Sequence, residues 1–205
     1  YMESGYYKGS SLLAHLSACP SSEVIALDPN NKNLMLPNER LGGRCTFSKC
    51  DFQDYEFAYI DKTKSVCFFD DHISTADRII ESYYKGFKTL IFDDSCGLMG
   101  TSERLWPSMP SLFFIENVDR ISVGQTINWV KRNFSKRAIG KWEVTHELQS
   151  DYCSFTFEQS IIDKCKKASS LIKSSGCVPN MNDYIVTPRP LRANDITLRI
   201  VTLVD

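Results

Sequence analysis

The chain lacks an excess of charge of either sign: 24 Lys and Arg residues stand against 25 Asp and Glu, a net charge of −1. A nucleic-acid or anionic-membrane surface needs a basic excess, so neither class of partner is expected. No apolar run comes near the roughly 20 residues that span a bilayer. No Cys-x-x-Cys pair occurs among the eight cysteines, which removes the usual basis for a structural zinc site. Free thiols are the expectation, with Cys67 in Ser-Val-Cys-Phe-Phe a small buried hydrophobe. A sequon at Asn133-Phe134-Ser135 matters only in a secreted chain, and a cytoplasmic location is favoured. There is no internal repeat and no low-complexity tract, and no secretory leader is expected. The first residues look like the end of a strand, so residues upstream of Tyr1 are expected.

What is present fits one domain. At 205 residues and 42% hydrophobic, the chain is long enough to bury a sizeable core. The first hundred residues alternate strand and helix. Ser10–Leu16 has helical periodicity and ends before Pro20. Glu23–Leu27 reads as a buried strand that stops at Asp28. A strand is expected near Arg44–Phe47, another over Ser65–Phe69, and a helix over Ile73–Tyr84 closed by Gly86. Thr89–Phe92 is the next buried strand. Short strands that are apolar on both faces, separated by helices, predict an α/β fold: a Rossmann-like, doubly wound, mostly parallel sheet with helices on both faces. Residues 1–97 form its ligand-binding half, 98–180 a divergent lid, substrate or interface region, and 181–205 the closing strands. Within the divergent region Ser111–Ile115 reads as a strand, Gln125–Phe134 as a helix and Phe157–Ser174 as a helix. Ile196–Val204 alternates like a strand. The aromatics Trp106, Phe113, Phe114, Trp142, Tyr152 and Phe155 suit core packing or a subunit interface better than a substrate pocket, which leaves a homo-oligomer open. The basic residues Lys131, Arg132, Lys136 and Arg137 read as ordinary solvated surface.

Ligands of doubly wound sheets bind beyond the carboxyl ends of the strands. Asp28, Asp70, Asp71, Asp93 and Asp94 all fall there in sequence. Gly5 and Gly9 precede a helix that Ser10 or Ser11 is placed to cap, so they are either a loop for close ligand approach or a tight strand-to-helix turn. Asp28, about 20 residues on, is positioned for the two hydroxyls of a ribose. Clustered carboxylates repel one another unless a cation neutralises them, and a hard cation suits them best. The plain alternative is that they cap helices or solvate strand ends. His72 is the natural base, or else a structural histidine bonded to a neighbouring carboxylate.

These residues resemble a known family. Glu-Ser-Gly-Tyr-Tyr-Lys-Gly-Ser-Ser, residues 3–11, is similar to the first motif of class I S-adenosylmethionine-dependent methyltransferases, specifically small-molecule O-methyltransferases of the catechol type. Phe69-Asp70-Asp71-His72 and Asp93-Asp94 resemble the motifs closing their fourth and fifth strands. The likeness extends to cephalosporin- and macrolide-biosynthesis relatives and covers residues 1–97. It implies S-adenosylmethionine as cofactor, with Glu3, Gly5, Tyr7 and Gly9 around its methionine part and Ser11 near the carboxylate. Asp28 would bind the ribose, and Asp51 and Phe52 would lie near the adenine. Asp71, Asp93 and Asp94 would hold a divalent metal, most simply magnesium, that orients a substrate hydroxyl and lowers its pKa for in-line attack on the methyl. Asp71 and His72 would carry the chemistry on a small hydroxylated acceptor. The catechol-type enzymes place a lysine three residues beyond the aspartate, and Ser74 stands there instead. Two other readings stay open: a degenerate, non-catalytic member of this fold, and a metal-dependent nucleotide-sugar glycosyltransferase.

Overall fold

The structure, a computed structural model, describes residues 1–6, 9–30, 43–93, 108–131, 134–139, 142–147, 151–177 and 198–205. Its core is a seven-stranded sheet. Strands β1 (Met2–Ser4), β2 (Val24–Leu27), β3 (Cys45–Ser48), β4 (Val66–Phe69) and β5 (Thr89–Phe92) run parallel. They are followed along the chain by β6 (Thr126–Lys131), β7 (Phe134–Ile139), β8 (Trp142–Glu147) and β9 (Asp151–Thr156), then by β10 (Ile172–Cys177) and β11 (Arg199–Leu203). The spatial order is β10-β11-β5-β4-β1-β2-β3, and β11 is antiparallel to both of its neighbours. The α/β class expected from the sequence is therefore the observed one.

Each parallel strand is four residues or fewer, and β2 divides its side chains between two cores. Along β2, Val24 and Ala26 join Tyr6, Leu12 and Leu16 under the first helix, α1 (Ser10–Ala18). Leu27 joins the larger core on the other face, with Met2, Cys67, Phe69, Leu90 and Phe92. That face is covered by α2 (Thr75–Lys85), α3 (Leu112–Glu116) and α4 (Gln159–Leu171). Burial on both faces is why β2 reads as an unbroken apolar run. The ends of α2 are local and strong: Ser74 Oγ accepts from Asp77 N at 3.3 Å, and Gly86 takes the left-handed C-cap conformation. In α4, Ile162, Cys165 and Ala168 face the core, and Lys164 pairs with Asp77 of α2 at 2.7 Å.

Three expectations are corrected. Ser111–Ile115 is not a strand but the start of α3: Leu112, Phe114 and Ile115 are buried and Phe113 is exposed, a helical spacing that a short all-apolar run conceals. The described residues of the helix expected over Gln125–Phe134 are not helical. Thr126–Lys131 is β6, built from Thr126, Ile127, Trp129 and Val130, whose branched and aromatic side chains favour the extended chain. The helix expected to run to Ser174 stops at Leu171, where Ile172 turns extended and starts β10. Strands β6 and β9 pair with each other, as do β7 and β8, all antiparallel. Cys19, Cys45, Cys50, Cys67 and Cys165 are free thiols. Among the described residues no helix is long and apolar enough to cross a membrane.

Candidate functional site

The connection order puts the reversal of the sheet between β1 and β4. From β1 the chain moves out through β2 and β3, then returns to place β4 on the other side of β1. The loops leaving β1 and β4 therefore diverge, and the crevice between them is where an open α/β sheet binds ligand. The ladder continues one residue past each strand: Gly5 N donates to Leu27 O at 2.8 Å, Asp70 N to Ser4 O at 2.9 Å, Asp93 N to Phe69 O at 2.9 Å and Asp28 N to Ser48 O at 3.1 Å. Asp93, Asp70, Gly5 and Asp28 consequently stand in one row across the carboxyl edge, on β5, β4, β1 and β2. At ~4.8 Å between strands the row is about 14 Å long.

Gly5 is required there. Its φ is +89°, and an added Cβ would lie 2.3 Å from Asp70 O and 2.8 Å from Asp71 N. The close approach of β1 to β4 exists because the side chain is a hydrogen. Gly9, at φ 82°, is the N-cap of α1, and no side chain caps that helix. The expected cap by Ser10 or Ser11 is not made. Ser11 Oγ instead donates to Glu3 Oε1, and Tyr1 OH donates to Glu3 Oε2 at 2.9 Å. Glu3 is fully buried, and burial raises its carboxyl to about 7; the hydrogen bonds from Ser11 and Tyr1 oppose that rise, and Asp93 adds to it. The uncapped first turn of α1 leaves its amides and the positive end of its dipole at the crevice, suited to a carboxylate. Asp28 closes β2 with Oδ1 accepting from Asn30 N at 2.7 Å.

His72 has φ 56°, the one positive value outside glycine among the described residues. Such a conformation costs of order 1 kcal/mol, though histidine tolerates it better than branched residues. It turns the imidazole back over the end of β4, with Nε2 at 3.8 Å from Asp70 Oδ1.

Asp71 and Asp51 are joined by a residue the sequence analysis passed over. Arg78, one turn into α2, has a side chain only 1% exposed. Its Nη1 and Nη2 donate to the two oxygens of Asp51 at 2.9 and 2.7 Å. Nε donates to Asp71 Oδ2 at 2.9 Å and Nη1 to Glu81 Oε2 at 2.7 Å. Ser4 Oγ donates to the same Asp71 oxygen at 2.6 Å, and Ile73 N to the other at 3.2 Å. The hydrogen bonds from Arg78 hold Asp51 below the ordinary carboxylate range. Burial pushes Glu81 the other way. Phe52, next to Asp51, lies in the core with no exposed surface, packed on Phe57, Phe69 and Phe87. The cue to Arg78 was in the sequence: it shares a helical stripe with Thr75, Ile79 and Ser82, and a charge on a buried stripe must be paired.

The donors do not suit a metal held by Asp71, because both of its oxygens already accept from Ser4, Ile73 and Arg78. No trio of His, Cys, Asp or Glu among the described residues is arranged to hold a metal ion. Tyr7 and Asp94 lie outside the described residues.

No family model matches the chain, and no curated protein does. Among solved structures, it is similar to an S-adenosylmethionine-dependent methyltransferase from Clostridium acetobutylicum, at 12% identity over 99% of this chain and 82% of that one, with a TM-score of 0.42. A glycopeptide N-methyltransferase complexed with S-adenosylmethionine is similar at 12% identity over 99% and 80% of the two chains, TM-score 0.47. A precorrin-6y C5,15-methyltransferase from Geobacter metallireducens is similar at 12% identity over 77% and 78%, TM-score 0.40.

Proposed function

We propose that this chain binds S-adenosylmethionine across the carboxyl edge of its sheet and transfers the methyl group to a small hydroxylated acceptor. The row of Asp93, Asp70, Gly5 and Asp28 beside an uncapped helix N-terminus carries the reading. The mostly parallel, doubly wound sheet is also the fold that the resemblance of residues 3–11 implies.

Each residue has a defined task. The Gly5 turn lets ligand lie close against backbone, and the first amides of α1 receive a carboxylate. Asp28, two strands from Asp70, takes the ribose hydroxyls. Asp51 and the backbone at Phe52 border the adenine end. When bound, the cofactor supplies an electrophilic methyl on a sulfonium. His72, held over β4, accepts the acceptor hydroxyl's proton while Asp70 beside it stabilises the imidazolium that forms. No step passes through a metal.

Calorimetry with S-adenosylmethionine and its demethylated product tests this. Micromolar binding is expected. Asp28→Ala removes charge-assisted hydrogen bonds to the ribose and weakens binding by roughly 10- to 100-fold. Asp93→Ala leaves binding nearly unchanged. Normal binding by Asp28→Ala, or none by the wild type, overturns the assignment.

A further inference from the structure

A guanidinium has five N–H donors in a fixed plane. Four hydrogen bonds use those of Arg78, Nε to Asp71, Nη1 to Asp51 and Glu81 and Nη2 to Asp51, and Nη2 also lies 2.8 Å from Asp71 Oδ2 as an ion pair. The guanidinium carbon also lies near the rings of Phe52 and Phe69, 5.6 and 5.8 Å from their centroids. Three carboxylates from three segments thus converge on one cation that water scarcely reaches. Asp51 follows β3, Asp71 follows β4, and Asp71 is tied in turn to Ser4 at the end of β1. One side chain of α2 therefore fixes three of the strand ends that border the crevice.

We propose that Arg78 is the positioning residue of the cofactor site and fills, with an internal cation, the charge role that a divalent metal would have among these carboxylates. The inference rests on the cofactor reading above for its consequence in binding, though not for its electrostatics. Arg78 does not touch the ligand. It orders the loop at Asp51 on the adenine side and the loop at Asp71 on the side of the transferred group, so both are formed before binding. Lysine cannot replace it, because an ammonium brings three donors and no planar fork for Asp51. Spaced around the guanidinium, Asp51, Asp71 and Glu81 are not arranged to hold a metal; without it they lose their counter-charge and are free to close on a hard divalent cation.

The test uses wild type, Arg78→Met and Arg78→Lys, with Mn2+ binding followed by electron paramagnetic resonance and the demethylated cofactor titrated by calorimetry, each with chelator or with Mn2+. In the wild type, cofactor affinity is expected to be the same under both conditions, and no Mn2+ site tighter than about 1 mM is expected. Arg78→Met is expected to weaken the cofactor by about tenfold, as loss of a supporting partner behind a site does. The same variant gains a Mn2+ site, and Mn2+ restores part of the lost affinity. A residue that only stabilised the fold would give neither the new site nor the rescue. Arg78→Lys, which keeps a charge, is expected to fold, to bind the cofactor more weakly than wild type and to gain little Mn2+ affinity. The proposal is overturned by a tight wild-type Mn2+ site lost in Asp71→Asn, or by wild-type cofactor affinity in both Arg78 variants. A wild type that binds no cofactor defeats the cofactor reading and the positioning role with it, while the Mn2+ measurements still decide whether Arg78 replaces a metal.

Discussion

Replacing Gly5 by alanine separates two costs that the structure assigns to different glycines. Gly5, Gly86 and Gly124 have nearly the same φ, +89°, +88° and +82°. An alanine in that left-handed region costs about 1–2 kcal/mol at any of them. At Gly124 a new Cβ meets nothing within 4 Å, and at Gly86 only the flexible side chain of Lys62 at 3.5 Å. At Gly5 it lies 2.3, 2.6 and 2.8 Å from backbone atoms of Asp70 and Asp71, in a parallel ladder that has no slack. Forcing β1 and β4 apart adds the usual cost of overpacking, about 1–3 kcal/mol. Gly5→Ala should therefore destabilise by roughly 2–5 kcal/mol, and Gly124→Ala by roughly 1–2. Urea denaturation reads both from the midpoint at constant slope. Equal losses for the two variants would refute the argument that contact between β1 and β4, rather than backbone conformation, makes Gly5 necessary. The clash also opens the crevice, so cofactor binding should fall in Gly5→Ala and persist in Gly124→Ala.

Glu3 makes stability depend on pH in the direction opposite to most carboxylates. Its folded value of about 7 exceeds the ordinary 4.5, so the folded protein holds the proton more tightly and loses stability as pH rises from 4.5 through 7. At 1.4 kcal/mol per pH unit the loss comes to about 3.5 kcal/mol, and Glu3→Gln should flatten that slope in denaturation curves taken between pH 4 and 8; an unchanged slope would remove Glu3 as its source. Among Cys19, Cys45, Cys50, Cys67 and Cys165, Cys19 and Cys50 are exposed and should react first with an alkylating reagent, while Cys67, whose thiol burial pushes well above its ordinary value, should react only on unfolding. Peptide mapping that found Cys67 modified early would contradict its place in the sheet. Amides of β7 and β8, paired with each other in a two-stranded ribbon, should exchange orders of magnitude faster than those of β1 and β4. Equal protection by hydrogen-exchange mass spectrometry would mean that the ribbon is held by more than its own pairing.

The parallel half was legible because its signals are local. Thr89–Phe92 is an isolated apolar run closed by aspartate, and α2 carries a serine cap, a periodic apolar stripe and Gly86 within thirteen residues. The row at the carboxyl edge followed from knowing where each strand stops. Strand β6 and helix α3 were not legible because Thr-Ile-Asn-Trp-Val and Leu-Phe-Phe-Ile suit either conformation until their partners are known. The electrostatics of the site escaped for a similar reason. Asp71 and Asp51 look like free ligands in sequence, and only the packing of α2 on the sheet brings Arg78 to both, across 7 and 27 positions of chain.

The reversed strand has a consequence for how this molecule is made. Strand β5, Thr-Leu-Ile-Phe, has β4 on one side early in the chain, but its other edge stays uncovered until β11 arrives from residues 199–203 and Leu203 N bonds to Lys88 O. An apolar four-residue edge without charge is the kind that pairs with another chain when left open. The interval between forming the parallel sheet and inserting β11 is then the vulnerable stage of folding, and its length is set by the closure of a long loop. Dilution, or a chaperone that covers β5, should raise the yield of folded protein more than any change that strengthens the finished core.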